Sequence, residues 1–324
     1  CDSVIEPLAS EQWFLKVSEL AKLAEEAIAK QEVKIYPKNW TDITLKWVSN
    51  MKDWNISRQL WWWHKIPIEG EEDVLDTWFS SALWPFAVLG WPEETNDLKE
   101  YYPTQFITSD RGIVFLWQIR MIFSGKYFMG KAPFSNLYIH PTVLTKDGKR
   151  MSKSLGTGVD PVGLIDKYGT DALRFGLAYQ NTGIQDMKFN EDVVLMGKKF
   201  ANKLWNITRY VLMRSGEDLE PKRMDNEIVK KLDDIISSVS KNINSYKFGE
   251  AAHDLYDFVW HDFADKYIEE TKDKEDAETK QTLAYVLTNS LKLLHPFMPF
   301  VTEEIYSKLP IEDKKLLIIE NWPA

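Results

Sequence analysis

The octapeptide Lys149-Arg150-Met151-Ser152-Lys153-Ser154-Leu155-Gly156 gathers cationic side chains and serine hydroxyls in one glycine-flanked loop. Such a loop can close over a polyphosphate. Lysine and arginine neutralise charge that builds on a departing pyrophosphate, while hydroxyls and free backbone amides add hydrogen bonds. Glycine lets the backbone come close. A basic turn facing water has the same composition, so the octapeptide alone does not choose between the two.

Its neighbours in the sequence do. About a hundred residues upstream lies Asp53-Trp54-Asn55-Ile56-Ser57-Arg58-Gln59, followed by Asp73-Val74-Leu75-Asp76-Thr77-Trp78-Phe79-Ser80-Ser81. Downstream is Gly169-Thr170-Asp171-Ala172-Leu173-Arg174-Phe175. In this order and spacing they resemble the class I aminoacyl-tRNA synthetases, in the branch for branched aliphatic amino acids. Gly90-Trp91-Pro92, Gln185-Asp186-Met187-Lys188-Phe189 and Phe200-Ala201-Asn202-Lys203-Leu204-Trp205-Asn206 carry the likeness to the valyl members.

The resemblance implies two reactions. An amino-acid carboxylate attacks the α-phosphate of ATP, and the aminoacyl group then passes to the terminal ribose of tRNA. The attacking carboxylate is already ionised, so alignment and charge stabilisation are the main demands. By resemblance Lys153 and Arg150 are the catalytic cations, with Arg150 in place of the first lysine of the usual Lys-Met-Ser-Lys-Ser loop. His140, Ser152, Lys153 and Ser154 are the ATP-binding residues. Asp73 takes the substrate ammonium, and Trp62 and Trp78 wall the side-chain pocket. Flat walls separate similar aliphatic side chains by only ~1–3 kcal/mol per methylene. Lys199, Lys203, Asn206 and Arg209 are the tRNA-facing residues. The implied partners are valine, ATP with Mg2+, and tRNA(Val), with no zinc, no membrane and a monomeric state. An isoleucyl or leucyl enzyme and a non-catalytic tRNA-binding module remain as alternatives.

Four features depart from that pattern. No His-Ile-Gly-His-type ATP motif is found, and no editing domain, although residues 1–15 resemble the exit strand from one. The start at Cys1, amid Val4, Ile5 and Pro7, reads as a cut or processed end. The chain passes from Trp62-Trp63-His64 to Glu71-Glu72-Asp73 in a few residues, where relatives carry a longer connection, and Trp63 replaces a glycine expected beside the pocket. The segment Thr108-Ser109-Asp110-Arg111-Gly112-Ile113 also differs from the valyl pattern.

Particular elements must hold these residues. Apolar spacing predicts helices over 9–30 and 40–51, and a β-type run over 138–144 before a turn at 146–149. Asp160-Pro161 opens a helix over 161–168, Gly169 closes it, and Thr170 or Asp171 is expected to cap the next. Helices over 192–213, 226–246, 248–270 and 277–294 follow, then a shorter one after Pro299 with Thr302 as its expected cap. Short polar links favour an antiparallel bundle. The expected fold is therefore α/β followed by all-α. By resemblance, a partial Rossmann-like catalytic domain is expected at 1–191 and a helical anticodon-binding domain at 192–324. Trp13, Trp40 and Trp84 are expected in packing roles.

Composition bounds the rest. The 324 residues are 44% hydrophobic and 27% charged, which excludes global disorder. The single cysteine excludes an internal disulfide or a paired-cysteine zinc site. No apolar run approaches the ~20 residues that span a bilayer, and a cytoplasmic location is expected. The net charge of −9 argues against non-specific grip on nucleic acid. Residues 146–210 nonetheless hold 11 basic against 7 acidic residues, so a polyanion would dock there, unless the excess is ordinary fluctuation.

Overall fold

The computed structural model describes residues 4–6, 9–152, 156–181, 183, 186–215 and 221–323. Compact packing divides the chain between His140 and Pro141, earlier than the domain boundary expected after residue 191.

The first unit is built on three parallel strands in the order β2 (Lys34–Tyr36), β7 (Phe134–His140), β6 (Thr104–Asp110). The short strands β1 (Phe14–Leu15) and β3 (Trp54–Asn55) pair with each other, as do β4 (Ser57–Arg58) and β5 (Val74–Leu75). In β7 the consecutive residues Leu137, Tyr138 and Ile139 are all buried, as a strand covered on both faces requires. In β6 most residues are exposed, as befits an edge. Helix α1 (Ser18–Ala29) turns Ala21, Ala24, Ala27 and Ile28 inward, and α2 (Asn39–Ser49) packs beside it. The short helices α3 (Thr77–Ser81), α4 (Trp84–Ala87) and α5 (Asn96–Tyr101) lead to β6. A wide-turned stretch, Val114–Gln118, enters α6 (Ile119–Met129), which stops at Gly130 in the left-handed conformation.

The helix expected over 9–30 begins only at Ser18, because Phe14 and Leu15 pair with Asn55 and Trp54. The run over 138–144 is two strands, β7 and β8 (Val143–Leu144). Trp40 packs against the core as expected. Trp84 and Trp13 do not: Trp84 is 61% exposed, and Trp13 lies partly in solvent with its indole N–H donating to Glu71 at 2.6 Å.

In the second unit β8 pairs in parallel with β9 (Met187–Lys188). Helices α7 (Pro161–Tyr168) and α8 (Thr170–Gln180) precede the long α9 (Glu191–Ser215) and α10 (Glu227–Asn244). A continuous rod runs through α11 (Phe248–Asp257), the wide-turned Phe258–Ile268 and α12 (Glu269–Thr271). It is followed by α13 (Ala277–Leu294) and α14 (Pro299–Lys308). One apolar core unites α8 with the bundle, through Phe175, Phe200, Phe258 and Phe263. Helices α8 and α9 meet at backbone distance: a Cβ on Gly197 would sit 2.7 Å from the Ala172 carbonyl.

Two expected caps are corrected. Neither Thr170 nor Asp171 caps α8, whose N-cap position is Gly169. The buried Asp171 carboxylate instead accepts from the backbone N–H groups of Phe300 (3.2 Å) and Val301 (2.6 Å), at the start of α14. Thr302 does not cap α14 either; its hydroxyl donates back to the Met298 carbonyl at 2.8 Å. The carboxylate is the stronger partner for the positive end of a helix and displaces the local hydroxyl.

Candidate active site

In the first unit the segment Asp73–Trp78 is held between two others. β5 pairs antiparallel with β4, and Val74 also bridges to Lys65. The N–H of Asp76 donates to the Ile56 carbonyl at 2.8 Å. Beyond β5, the Asp76 carboxylate accepts from the N–H of Trp78 and so caps α3. The same carboxylate accepts from the indole of Trp54 (2.8 Å) and lies 2.9 Å from Arg58 and 3.6 Å from Arg120. Asp76 is 4% exposed. The Arg120 guanidinium carbon lies over the Trp54 ring, 3.6 Å from its centre. Burial pushes its pKa down to about 10; Asp76 opposes this and Arg58 adds to it. Its Nε and one terminal nitrogen have no hydrogen-bond partner.

An open cavity of about 900 Å³ lies over this cluster, lined by Trp47, Trp54, Arg58, Asp76, Trp78 and Arg120, among others. Of the residues assigned to the amino-acid pocket, the structure brings Trp78 to this cavity. Asp73 and Trp62 are not among its lining. Asp73 is half-buried and accepts from the Gln59 amide at 2.9 Å. Trp62 is 80% exposed, and Trp63 has a backbone φ of +132°. Asp76 and Arg58 escaped the sequence reading. Both stand inside the quoted motifs, but nothing local marks a carboxylate three residues after another as the buried one.

His140 ends β7, opposite Asp110 at the end of β6, so both lie at the carboxyl ends of parallel strands. That is where open α/β sheets place ligands. The cationic loop belongs to the second unit. Its entry is a turn in which Thr145 N–H donates to the Lys149 carbonyl at 2.8 Å, and Arg150 bridges to Leu144. Ser152 is tied to Thr157: its N–H donates to the Thr157 hydroxyl at 3.0 Å, and the Thr157 N–H donates to its carbonyl at 3.2 Å. Lys153 and Ser154 lie outside the described residues.

On α9, Lys199, Asn206 and Arg209 are exposed and recur on one face. Lys203 is turned inward: it pairs with Asp265 at 2.8 Å and lies 5.3 Å from the centre of the Trp260 ring. Its hydrogen bond leads the effects that hold the Asp265 carboxyl below its ordinary range. Trp205, 37% exposed beside Asn206, is a further surface aromatic on this helix. Among the described residues no group of three or more His, Cys, Asp or Glu is placed to hold a metal ion, and no helix is long and apolar enough to cross a membrane.

Comparison with known proteins decides the family. Residues 2–71 and 68–190 match the family described as tRNA synthetases class I (I, L, M and V), and residues 225–324 match the anticodon-binding domain of tRNA ligase. The chain belongs to the class I tRNA synthetases. The valine–tRNA ligase of Pseudothermotoga lettingae is 43% identical over 360 aligned positions, covering all of this chain and 42% of the relative. That of Thermotoga maritima is 44% identical over 359 positions, with 100% and 41% covered. The chain thus spans about two-fifths of the length of the curated relatives it matches. Each alignment is longer than the chain, and the two synthetase matches meet at 68–71, where the sequence has its short connection. Among solved structures, Mycobacterium tuberculosis methionyl-tRNA synthetase in complex with methionyl-adenylate matches with a TM-score of 0.75 at 21% identity. The match covers 91% of this chain and 62% of that one. A leucyl synthetase (LeuRS) of Agrobacterium radiobacter K84 in a ternary complex with tRNA and LeuAMS matches at 0.65 and 20%, covering 83% and 35%. These structural matches establish the synthetase fold, α/β followed by helices.

Proposed function

We propose that this chain supplies part of a valine–tRNA ligase. The oxygen of the valine carboxylate attacks the α-phosphorus of ATP, the bond to the β-phosphate oxygen breaks, and pyrophosphate leaves. The terminal ribose hydroxyl of tRNA(Val) then attacks the valyl carbonyl and AMP departs. Lys153 and Arg150 neutralise the departing pyrophosphate, and Ser152 and Ser154 add hydrogen bonds to it. His140, at the end of its strand, meets the adenosine. Asp73 takes the ammonium of valine, because a cationic amine in a partly dry pocket needs a charged partner. Trp78 and Trp62 wall the side chain. Lys199, Asn206 and Arg209 face tRNA, while Lys203 is held by Asp265, within an anticodon-binding part at 192–324 that follows a catalytic part at 1–191. A magnesium ion carried on the ATP phosphates would screen their charge and needs few protein ligands. The described residues offer no cluster of acidic or histidine side chains to hold it. The proposed location is the cytoplasm.

The observation that carries this reading is the identity of about two in five residues to valine–tRNA ligases along the whole chain. A second reading, a tRNA-binding piece without catalysis, is favoured by Trp62, which is 80% exposed and not among the residues lining the cavity. Pyrophosphate exchange and tRNA binding, measured on one sample, separate the two. The chain is assayed alone and joined to the portions its relatives carry beyond the match. Exchange that depends on valine and not on isoleucine or leucine is the expected result for the joined protein. Binding of tRNA with no exchange in either form gives the second reading. Loss of both overturns the two together.

A further inference from the structure

The buried carboxylate of Asp76 sits between the two residues proposed to meet valine, Asp73 and Trp78, yet its own oxygens are fully engaged by protein. One oxygen receives the Trp54 indole N–H at 2.8 Å and the Arg58 guanidinium at 2.9 Å, with Arg120 at 3.6 Å. The other receives the Trp78 N–H at 3.3 Å. One negative charge therefore faces two guanidiniums in a site that is 4% exposed at Asp76 and 7% at Arg120. Two nitrogens of Arg120 lack any hydrogen-bond partner. Arg58 also donates to the Asn55 and Ser57 carbonyls, but the buried Arg120 has no other anion beside it in this cluster, so displacing the carboxylate leaves that cation unpaired.

We infer that Asp76 is the positioning residue of the amino-acid pocket, which fixes the placement of Trp78 at the cavity. Its carboxylate starts α3 at Thr77, and its backbone N–H locks the segment to Ile56. Trp78 is the first residue whose N–H is captured. Its ring rests 6.4 Å, centre to centre, from Trp117, whose indole is tied to the Ser81 carbonyl at 3.1 Å. Arg58, Arg120 and Trp54 line the cavity and converge on the same oxygen. The inference rests on Trp78 walling the valine pocket, as proposed above. It assigns no contact between Asp76 and substrate.

The test uses the 324-residue chain labelled with 5-fluorotryptophan, with the Trp78 fluorine line assigned by its loss in Trp78→Phe. Asp76→Asn keeps the shape and removes the charge; the Trp78 line is expected to shift or split. Arg58→Lys, which keeps the charge and loses the fork, is expected to move the same line less, and stands in if Asp76→Asn does not fold. Glu32→Gln is the control. It breaks another network of the same unit, where Glu32 receives Lys126 at 2.8 Å and the Ala132 N–H at 2.7 Å, and it should leave the Trp78 line in place. A Trp78 line that stays fixed in folded Asp76→Asn and in Arg58→Lys overturns the inference. So does an equal movement in Glu32→Gln, which would mark a general loosening. L-Valine titration of the same samples tests the underlying reading: Asp76→Asn should bind about ten-fold more weakly than the unaltered chain. If the unaltered chain ignores valine while the Trp78 line still moves in Asp76→Asn, the pocket reading fails and the hold of Asp76 on Trp78 stands.

Discussion

Trp63 shows how one residue can be forced by its neighbours into a conformation it disfavours. Its φ of +132° belongs to glycine, and the family resemblance independently expects glycine there. A bulky residue in such a region costs roughly 1–3 kcal/mol. The return is modest, since the indole is 45% exposed and its ring meets the edge of His64, 5.3 Å between ring centres. Trp63→Gly should therefore stabilise the chain, by about 1 kcal/mol after the lost contact is counted. A urea midpoint that moves down instead of up would show that the indole packs better than its exposure implies. The same scale marks where sequence reading stopped. Trp78 reaches the cavity and Trp62 does not, although both are tryptophans in quoted motifs. The difference comes from the cap at Asp76 and the pairing of β4 with β5, neither of which is written in residue type.

At the scale of elements, the helices of the second half were legible because their apolar residues recur at three- and four-residue steps. Ile228, Leu232 and Val239 are buried as that spacing requires, and Asn226 caps α10 through the Val229 N–H. The cap of α14 was not legible, since its carboxylate comes from Asp171, 130 residues before Val301. The joint between α13 and α14 is further fixed by Arg174, which donates to the Pro296 carbonyl at 3.0 Å, and by His295, 2.8 Å from the Thr302 hydroxyl. Burial holds the His295 pKa below its ordinary 6.5, and the nearby Glu303 and Asp171 only partly oppose this. The unfolded chain therefore binds a proton at higher pH than the folded one. The stability that neutral His295 contributes is present above 6.5 and is lost as pH falls through the lower folded value. The helical unit should thus weaken on acidification below neutrality, and His295→Gln should flatten that part of the profile. Thermal midpoints between pH 7 and pH 5 provide the check; parallel profiles for the two proteins would exclude His295 as the cause.

For the whole molecule, the informative boundary is the one between units. The boundary expected after residue 191 falls beside the end of the synthetase match at 190. Packing divides elsewhere, after His140, because α8 shares the core of the bundle. Phe175 is fully buried and its ring lies 5.0 Å from that of Phe200. Gly176 and Gly197 allow α8 and α9 to touch backbone to backbone, and Asp171 caps α14. Deleting one buried phenylalanine costs about 3–5 kcal/mol, against a total stability of about 5–15 kcal/mol for a typical domain. A protein starting at residue 192 loses Phe175, the helix that carries it and the cap together. Residues 141–324 should accordingly melt in one cooperative step with helical circular dichroism, whereas residues 192–324 should melt broadly and at lower temperature. Equal midpoints for the two would mean that α8 merely leans on the bundle and that the sequence boundary is the physical one. The contrast also separates chemistry from stability along the chain: in the family motif that follows the cationic loop in sequence, Arg174 is bonded to the segment between α13 and α14 and Asp171 to the start of α14. A residue pattern that identifies a synthetase can therefore be maintained by the folding of a helical bundle.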